Sequence, residues 1–597
     1  MAFFIGAWYA DLRSLAVFRV LLACYLLWDV YVRISLGKYD LAWYTSDPPE
    51  RSYLLVEDTP HKAPLHQFWF TRGSLEFQYG TFALSAILAM CLGLGFACNA
   101  FTKLLLFLVT THHQNTNFYT HDGSDAFVRH LLLWSIFLAI EDCWSWKSII
   151  MRNNGETKKN DYNTRNNHLP YTISGIAVLG LLTQIVLMYL GTICHRTLDQ
   201  KGGDLFYSDW LPPKLTAVHY ALLDPFAARD NFLTRFLIAT PVLTASLTFA
   251  TIVVEGCVPL VLCWMLWQRR HTGALILCGL HAGLLLVLNL PTWQYVGMLT
   301  QVVWIPTPVW DGWLLQLNKN EKSEDDTAAA AYKKTDGDTT TSTDPTIHTP
   351  PQSSSSSLSH PPARPLRPNL LSRGVQCFFF AYMLYNWCGN RGWIPKHDRG
   401  DIGEALRLSQ WWIMYGTVSS KGAFTHLIGR RRRVARNDDD NGATSTTSTT
   451  ALQSIDLYEF LKTGQEVGPY PEYIVPHNMT DRYPSPRWER VLAQWASGKD
   501  RLGTKGKKFC ATLCVLLNED YPESPFESID LIYQSVHALP PGSEYYYLEE
   551  RRVGHVEHPQ IISVDCQNSS RRVPRVVPTH GLPEPVLAPR MKPPKSE

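Results

Sequence analysis

The sequence predicts a mainly α-helical fold: a polytopic membrane bundle of about nine spans carrying a small α+β or β-containing C-terminal domain. Two observations carry this expectation. Apolar blocks concentrate before residue 390, whereas residues 391–597 are polar and rich in Pro, Arg and Tyr. The Lys/Arg distribution in the loops and the positions of two glycosylation sequons then agree on one orientation. Composition decides less, because 46% hydrophobic residues and a mean hydropathy of −0.11 also suit a large soluble chain.

A membrane helix needs roughly 20 mostly apolar residues, fewer where neighbours shield it. The segments that meet this are 14–33, 80–97, 101–114, 125–142, 171–191, 247–267, 273–290, 293–306 and 375–388. The stretch 233–246 is apolar but broken by Arg235 and Pro241, and reads as a helix lying at the interface. Alternating these spans places Lys103, the Arg152 to Arg165 loop, Arg269/Arg270 and the 319–373 linker on one side. By the positive-inside rule that side is the cytosol, which holds the N-terminus. The C-terminal domain then lies in the lumen, where the sequons Asn478 and Asn568 call for glycosylation.

The first apolar run contains Arg19 and Asp29 and reads as a signal anchor rather than a cleavable peptide. Residues 1–314 form the bundle, 315–373 a disordered cytosolic linker and 374–390 the last span. Residues 391–520 form the lumenal domain, with a disordered insert at 430–450, and 521–597 a low-order tail. Thirteen cysteines are too scattered for a disulfide scaffold. Cys194, Cys388, Cys510, Cys514 and Cys566 fall outside the cytosol, with one or two bridges among them left open.

Charges inside apolar segments stand out, because a helix that loses its water retains them only at a cost. Asp125 and Arg129, four residues apart, share a helix face and are expected to pair, with Ser124 as N-cap and His130 turned toward a neighbour or the headgroups. Asp29 and Arg33 repeat the spacing. Glu255, in the middle of "TIVVEGCVPLVL", faces the bundle interior on this reading. His281 in "CGLHAGLLL" is either hydrogen-bonded across the bundle or an orienting residue. The loop "THHQNTNFYTHDG" gathers His112, His113, His121 and Asp122 without a zinc spacing, so no metal site is expected. The tryptophans at 144, 146, 210, 293, 304, 310 and 313 read as an aromatic belt.

Several of these stretches carry a resemblance. "FRVLLACYLLWDVYVR", "THDGSDAFVRHLLLWSIFLAIEDCWSW", "QIVLMYLGTICHR" with "DWLPPKLTAVHYALL", "TIVVEGCVPLVL", "LHAGLLLVLNLPTWQYVGML" and "SQWWIMYG" with "RYPSPRWERVL" follow one another as in the HTTM family of horizontally transferred transmembrane proteins. The sequence resembles that family, to which vitamin K-dependent gamma-glutamyl carboxylase belongs, from about residue 10 to about residue 515. The resemblance implies an endoplasmic-reticulum or other endomembrane protein, with vitamin K hydroquinone or a related lipid quinol as cofactor. It also implies a membrane-embedded lysine base in a pattern like Tyr-x-x-x-Gly-x-x-Lys. Here "YLGTICHR" puts Arg196 where the lysine falls, preceded by His195, and arginine stays protonated.

Two readings follow. One is an enzyme of carboxylase-like or quinol-oxidising type, with His195 and Glu255 as acid/base candidates, Lys201 as a further substitute base and His281 as orienter. The other is a non-catalytic membrane protein that keeps the fold's lipid-facing cavity for binding or helix assembly, with His195 and Arg196 as an interfacial pair at a helix end. The expected partners are the lipid bilayer and a lipid quinol. No nucleic-acid-binding feature, phosphate loop, nucleophile elbow or metalloprotease signature is read from the chain.

Overall fold

The computed structural model describes residues 8–45, 49–53, 73–117, 120, 122–146, 172–198, 208–224, 228–265, 269–313, 364–365, 368–395, 406, 408, 421–432, 452–469, 482–485, 487–488, 491–492, 502–537 and 560–567. Helices dominate, joined by a three-stranded and a four-stranded sheet. Strand β1 (Tyr9–Asp11) runs into α1 (Leu12–Ile34), where Asp11 caps the helix by accepting from the Arg13 backbone N–H. There follow α2 (Lys38–Leu41), α3 (Leu75–Leu94), α4 (Ala100–Thr116), α5 (Gly123–Phe137), β2 (Thr172–Ser174) and α6 (Ile176–Thr197). The second half of the bundle holds α7 (Ala217–Leu223), α8 (Phe232–Ile238), α9 (Pro241–Cys257), α10 (Arg270–Val287), α11 (Pro291–Gln301), β3 (Arg364–Pro365) and α12 (Leu370–Asn390).

Among the described residues, five helices are long and apolar enough to cross a membrane: α1, α3, α6, Pro241–Val261 of α9 and its continuation, and α10. Their outer faces are greasy: Ile87, Met90, Leu94, Leu275 and Leu286 are exposed while Leu181, Leu182 and Ile185 of α6 are enclosed. That arrangement suits lipid outside and close packing within. Helices α4, α5, α11 and α12 occupy the four other apolar segments, with 17, 15, 11 and 21 residues. The first three fall below the length of a span, and α12 is too polar to count by hydropathy.

Three boundaries differ from the sequence-based expectation. The interfacial helix expected at 233–246 is split: α8 ends at Ile238, and Pro241 opens α9. A first-turn proline loses no helical hydrogen bond, so 241–246 belong to the apolar span. The linker is shorter than 315–373, because β3 pairs in parallel with β2 and Asn369 caps α12 from Leu370. Residues 314–363 lie outside the described residues.

The third correction is the largest. The expected low-order tail from 521 supplies the centre and one edge of a sheet. Strands β4 (Lys421–Arg432), β5 (Leu452–Asp456), β6 (Phe526–His537) and β7 (Gln560–Asp565) run in the order β5-β4-β6-β7, all antiparallel, with α13 (Leu457–Thr463) and α14 (Leu502–Asp520). A disulfide between Cys514 and Cys566 ties α14 to the end of β7. The expected insert at 430–450 also starts later. Arg430, Arg431 and Arg432 lie in β4 and pair with Asp530, Glu466 and Glu527. Strand β6 and the segment after α13 thus neutralise an arginine run that reads alone as a solvated loop. Residues 433–451, Asn478 and Asn568 lie outside the described residues.

The domain docks on one end of the bundle through a shared aromatic core. Trp43 stacks on Phe509 at 5.4 Å and meets Trp488 edge-on at 5.8 Å, with Tyr53 4.9 Å from Phe509. Asp40 of α2 takes part, accepting from the Trp488 indole at 2.8 Å and from the Leu36 N–H at 2.8 Å. Burial pushes its carboxyl up to about 6, against these hydrogen bonds. The folded state therefore holds this proton more tightly than the unfolded chain. The stability Asp40 contributes is fullest below the ordinary carboxylate range and is lost as pH rises to about 6. Thermal midpoints of the intact protein between pH 4 and 7 should fall more steeply with rising pH than those of Asp40→Asn. Equal slopes would refute the assignment.

Candidate functional site

The polar residues of the bundle interior gather in two places. The first lies between α6, α9, α10 and α11. Tyr189 and Arg196 stand seven residues apart on α6, two turns along one face. Glu255 ends a buried stripe on α9, after Thr244, Thr248 and Thr251, whose spacing of three or four places them on one side. Pro259 has no N–H to return to the Glu255 carbonyl, and the helix widens into a π-helical stretch, Val258–Met265, directly beyond.

The Arg196 guanidinium donates to Glu255 Oε2 in a buried ion pair. It also lies 4.1 Å from the centre of the Trp210 ring, while Ser208 Oγ donates to the Arg196 carbonyl at 2.7 Å. His195, one residue earlier, is half-buried. Lys201 lies outside the described residues. The sequence places Arg196 and Glu255 in separate roles, but the fold joins them. Each satisfies the other's charge, the condition under which such groups persist away from water.

Beside this pair runs a neutral chain of hydrogen bonds. His281 Nδ1 meets Gln294 Oε1 at 2.7 Å, and His281 Nε2 meets the Tyr189 hydroxyl at 2.7 Å. Gln301 Nε2 reaches the same hydroxyl at 3.0 Å. Gln294 Oε1 only accepts, so Nδ1 carries the imidazole proton and Nε2 accepts from Tyr189 O–H. The Tyr189 oxygen in turn accepts from Gln301. Four residues on three helices are thus bonded without a formal charge. His281 is hydrogen-bonded across the bundle, one of its two expected roles.

Gly297 makes this possible, because a Cβ there would sit 2.4 Å from His281 Cε1 and 2.5 Å from Nε2. The Gly297→Ala variant should lose about 1–3 kcal/mol by overpacking. Thermal unfolding in detergent checks this, and an unchanged midpoint would mean that the ring is not held as described.

The second group lies where the C-terminal domain meets α1 and α5. Arg33 donates to Asp29 Oδ2 at 2.8 Å, to Asp125 Oδ1 at 2.6 Å and to the Tyr44 hydroxyl at 3.0 Å. Arg487, from the C-terminal domain, donates to Asp125 Oδ2 at 2.8 Å, to the Thr120 carbonyl at 2.7 Å and to Asp29 Oδ1. Asp29 and Arg33 pair as their spacing predicts. Asp125 has a different set of partners from the expected one, with Arg33 and Arg487 as its ion-pair partners. Gln114 stands between it and Arg129: Nε2 lies 3.4 Å from Asp125 Oδ1, and Oε1 accepts from the Arg129 guanidinium. The cap of α5 is Asp122, in a reciprocal capping box with Asp125, rather than Ser124. His130 bonds to the Ala126 and Leu408 carbonyls at 2.7 and 3.3 Å.

Arg487, Gln114, Tyr189, Gln294 and Gln301 are absent from the sequence-based site. Tyr189, Gln294 and Arg487 lie within the family-like stretches "QIVLMYLGTICHR", "LHAGLLLVLNLPTWQYVGML" and "RYPSPRWERVL", whereas Gln114 and Gln301 lie outside them. Among the described residues no group of three or more His, Cys, Asp or Glu side chains is arranged to hold a metal ion. His112 and His113 lie against Phe77 and Phe82, and His121 is outside the described residues. The chain matches no family model, no curated protein and no solved structure.

Proposed function

We propose that this chain is an integral membrane protein of the HTTM type whose bundle binds a lipophilic ligand and does not run a lysine-driven carboxylation. Arg196 carries this reading. It stands where the family resemblance puts the lysine, and it is ion-paired to Glu255 and covered by Trp210. A guanidinium held in this way gives up no proton, so it is no base for a quinol. Glu255 is its counter-ion.

On this proposal all nine apolar segments lie at membrane depth, with the N-terminus cytosolic and the C-terminal domain in the lumen of the endoplasmic reticulum or another endomembrane. Loop charge and the sequons Asn478 and Asn568 support that orientation, as does the Cys514–Cys566 disulfide, a bond that persists in oxidising compartments. The ligand is an apolar molecule with a hydrogen-bonding head, a quinol by the resemblance. Tyr189 and His281 supply the partners for that head.

The Tyr189–His281 hydrogen bond favours a second reading, a quinol-oxidising enzyme with a relocated base. A hydroxyl bonded to a neutral imidazole is a competent proton donor and acceptor. Purified protein given reduced vitamin K and oxygen, with a glutamate-rich peptide and labelled carbon dioxide, distinguishes the two. The binding reading expects neither epoxide nor labelled peptide, together with saturable quenching of tryptophan fluorescence by a vitamin K quinone. Epoxide formation lost in His281→Ala or His195→Ala would replace it with the enzyme. Absence of both turnover and quenching would reject the quinol as ligand.

A further inference from the structure

At the end of the bundle opposite the C-terminal domain, Arg270 opens α10 with its side chain 1% exposed. Its Nη1 donates to the Tyr9 carbonyl at 2.7 Å, and the guanidinium lies 4.2 Å from the centre of the Tyr9 ring. Nε and Nη2 are buried and have no hydrogen-bond partner. The carboxylate of the adjoining strand does not supply one, because Asp11 is engaged by Arg13 through Oδ1 at 3.0 Å and Oδ2 at 2.8 Å. An enclosed cation with unmet donors is costly, and native proteins seldom leave one without a water, an ion or a ligand.

The surroundings indicate the sign and depth of what is missing. Arg19 adds a second buried guanidinium, which donates to the backbone carbonyls of Ile140 and Trp144 at 3.1 and 2.7 Å. The unmet groups on Arg270 are N–H donors, so what completes them is an acceptor. Trp144 and Trp313 stand half-exposed around Trp310 at the same end, with ring centroids 5.6 and 5.8 Å from it. Tryptophans so placed mark the headgroup level of a bilayer.

We propose that Arg270 binds a phosphate group at this end of the bundle. The Nε and Nη2 edge of a guanidinium presents parallel N–H groups that fit two oxygens of a phosphate. Phosphate oxygens can supply these missing acceptors, and their charge is opposite to that of the guanidinium. The group comes either from an anionic phospholipid or from a free phosphate.

Full-length protein in detergent tests this by native mass spectrometry and thermal unfolding. The ligands are short-chain phosphatidic acid, diacylglycerol of the same chain length, and inorganic phosphate. The expected result is a retained phosphatidic acid adduct and a raised midpoint, with no effect of diacylglycerol and about a tenfold weaker response in Arg270→Gln. Arg269→Gln, at an exposed neighbour, should respond as the parent does. Arg270→Lys keeps the cation without the paired N–H edge and should weaken binding about threefold, so the site stays testable even if Arg270→Gln does not fold. An Arg270-dependent shift with inorganic phosphate alone would support the site and identify a free phosphate as its ligand. Binding that is absent, or unchanged in both Arg270→Gln and Arg270→Lys, would overturn the proposal.

Discussion

Replacing Arg487 by alanine should release the C-terminal domain from the bundle and cost about 3–5 kcal/mol, the range for removing one partner of a buried ion pair. The reason is the position of the guanidinium. It joins Asp29 of α1 to Asp125 of α5 across more than 360 residues of sequence, and it reaches the Thr120 carbonyl besides. Without it, Arg33 is the guanidinium that, among the described residues, still reaches both carboxylates. Arg487→Lys keeps the charge but cannot span three acceptors in a plane, so it should recover only part of the loss. Trp43, Trp488 and Phe509 still bury apolar surface in either variant, so the domain should loosen rather than unfold. Limited proteolysis and the thermal midpoint in detergent are the readouts. Parental protection in Arg487→Ala would show that the aromatic core docks the domain unaided.

Which parts of this arrangement were legible in the sequence follows from the range of the forces involved. Hydropathy over twenty residues is a local property, so α1, α3, α6 and α10 stood close to their expected places. The Asp29–Arg33 pair is local too, one turn of helix. The partners of Asp125 are not. A carboxylate four residues before an arginine reads as an i, i+4 pair, but Arg33 and Arg487 approach it from other elements with better hydrogen-bond geometry. The tail was misread for a similar reason. Residues 521–537 look short and polar until β4 lies alongside β6 along its length. Gln294 lies within a family-like stretch and Gln301 just beyond it, but neither carries a charge. Nothing along the chain distinguishes them from other amides until α11 folds against His281 and Tyr189.

The Arg196–Glu255 pair should behave as one unit, which separates an electrostatic role from a chemical one. Glu255→Gln leaves a buried guanidinium without its counter-ion, and Arg196→Met leaves a buried carboxyl. Each should cost about 3–5 kcal/mol of stability or the equivalent in folded yield. The first should be the worse, because a carboxyl can become neutral by taking up a proton and a guanidinium cannot. The double replacement Arg196→Met with Glu255→Leu removes both charges and should recover most of the loss, as apolar substitutes for buried pairs do. Trp210 would then lie against a thioether in place of the guanidinium. A double-mutant cycle on thermal midpoints measures the coupling. Additive losses would mean that Glu255 is stabilised by something other than Arg196. Recovery of stability without recovery of ligand binding would assign the pair a direct part in recognition. Recovery of both would leave Tyr189 and His281 as the residues that meet the ligand, with the ion pair serving to fix α6 against α9.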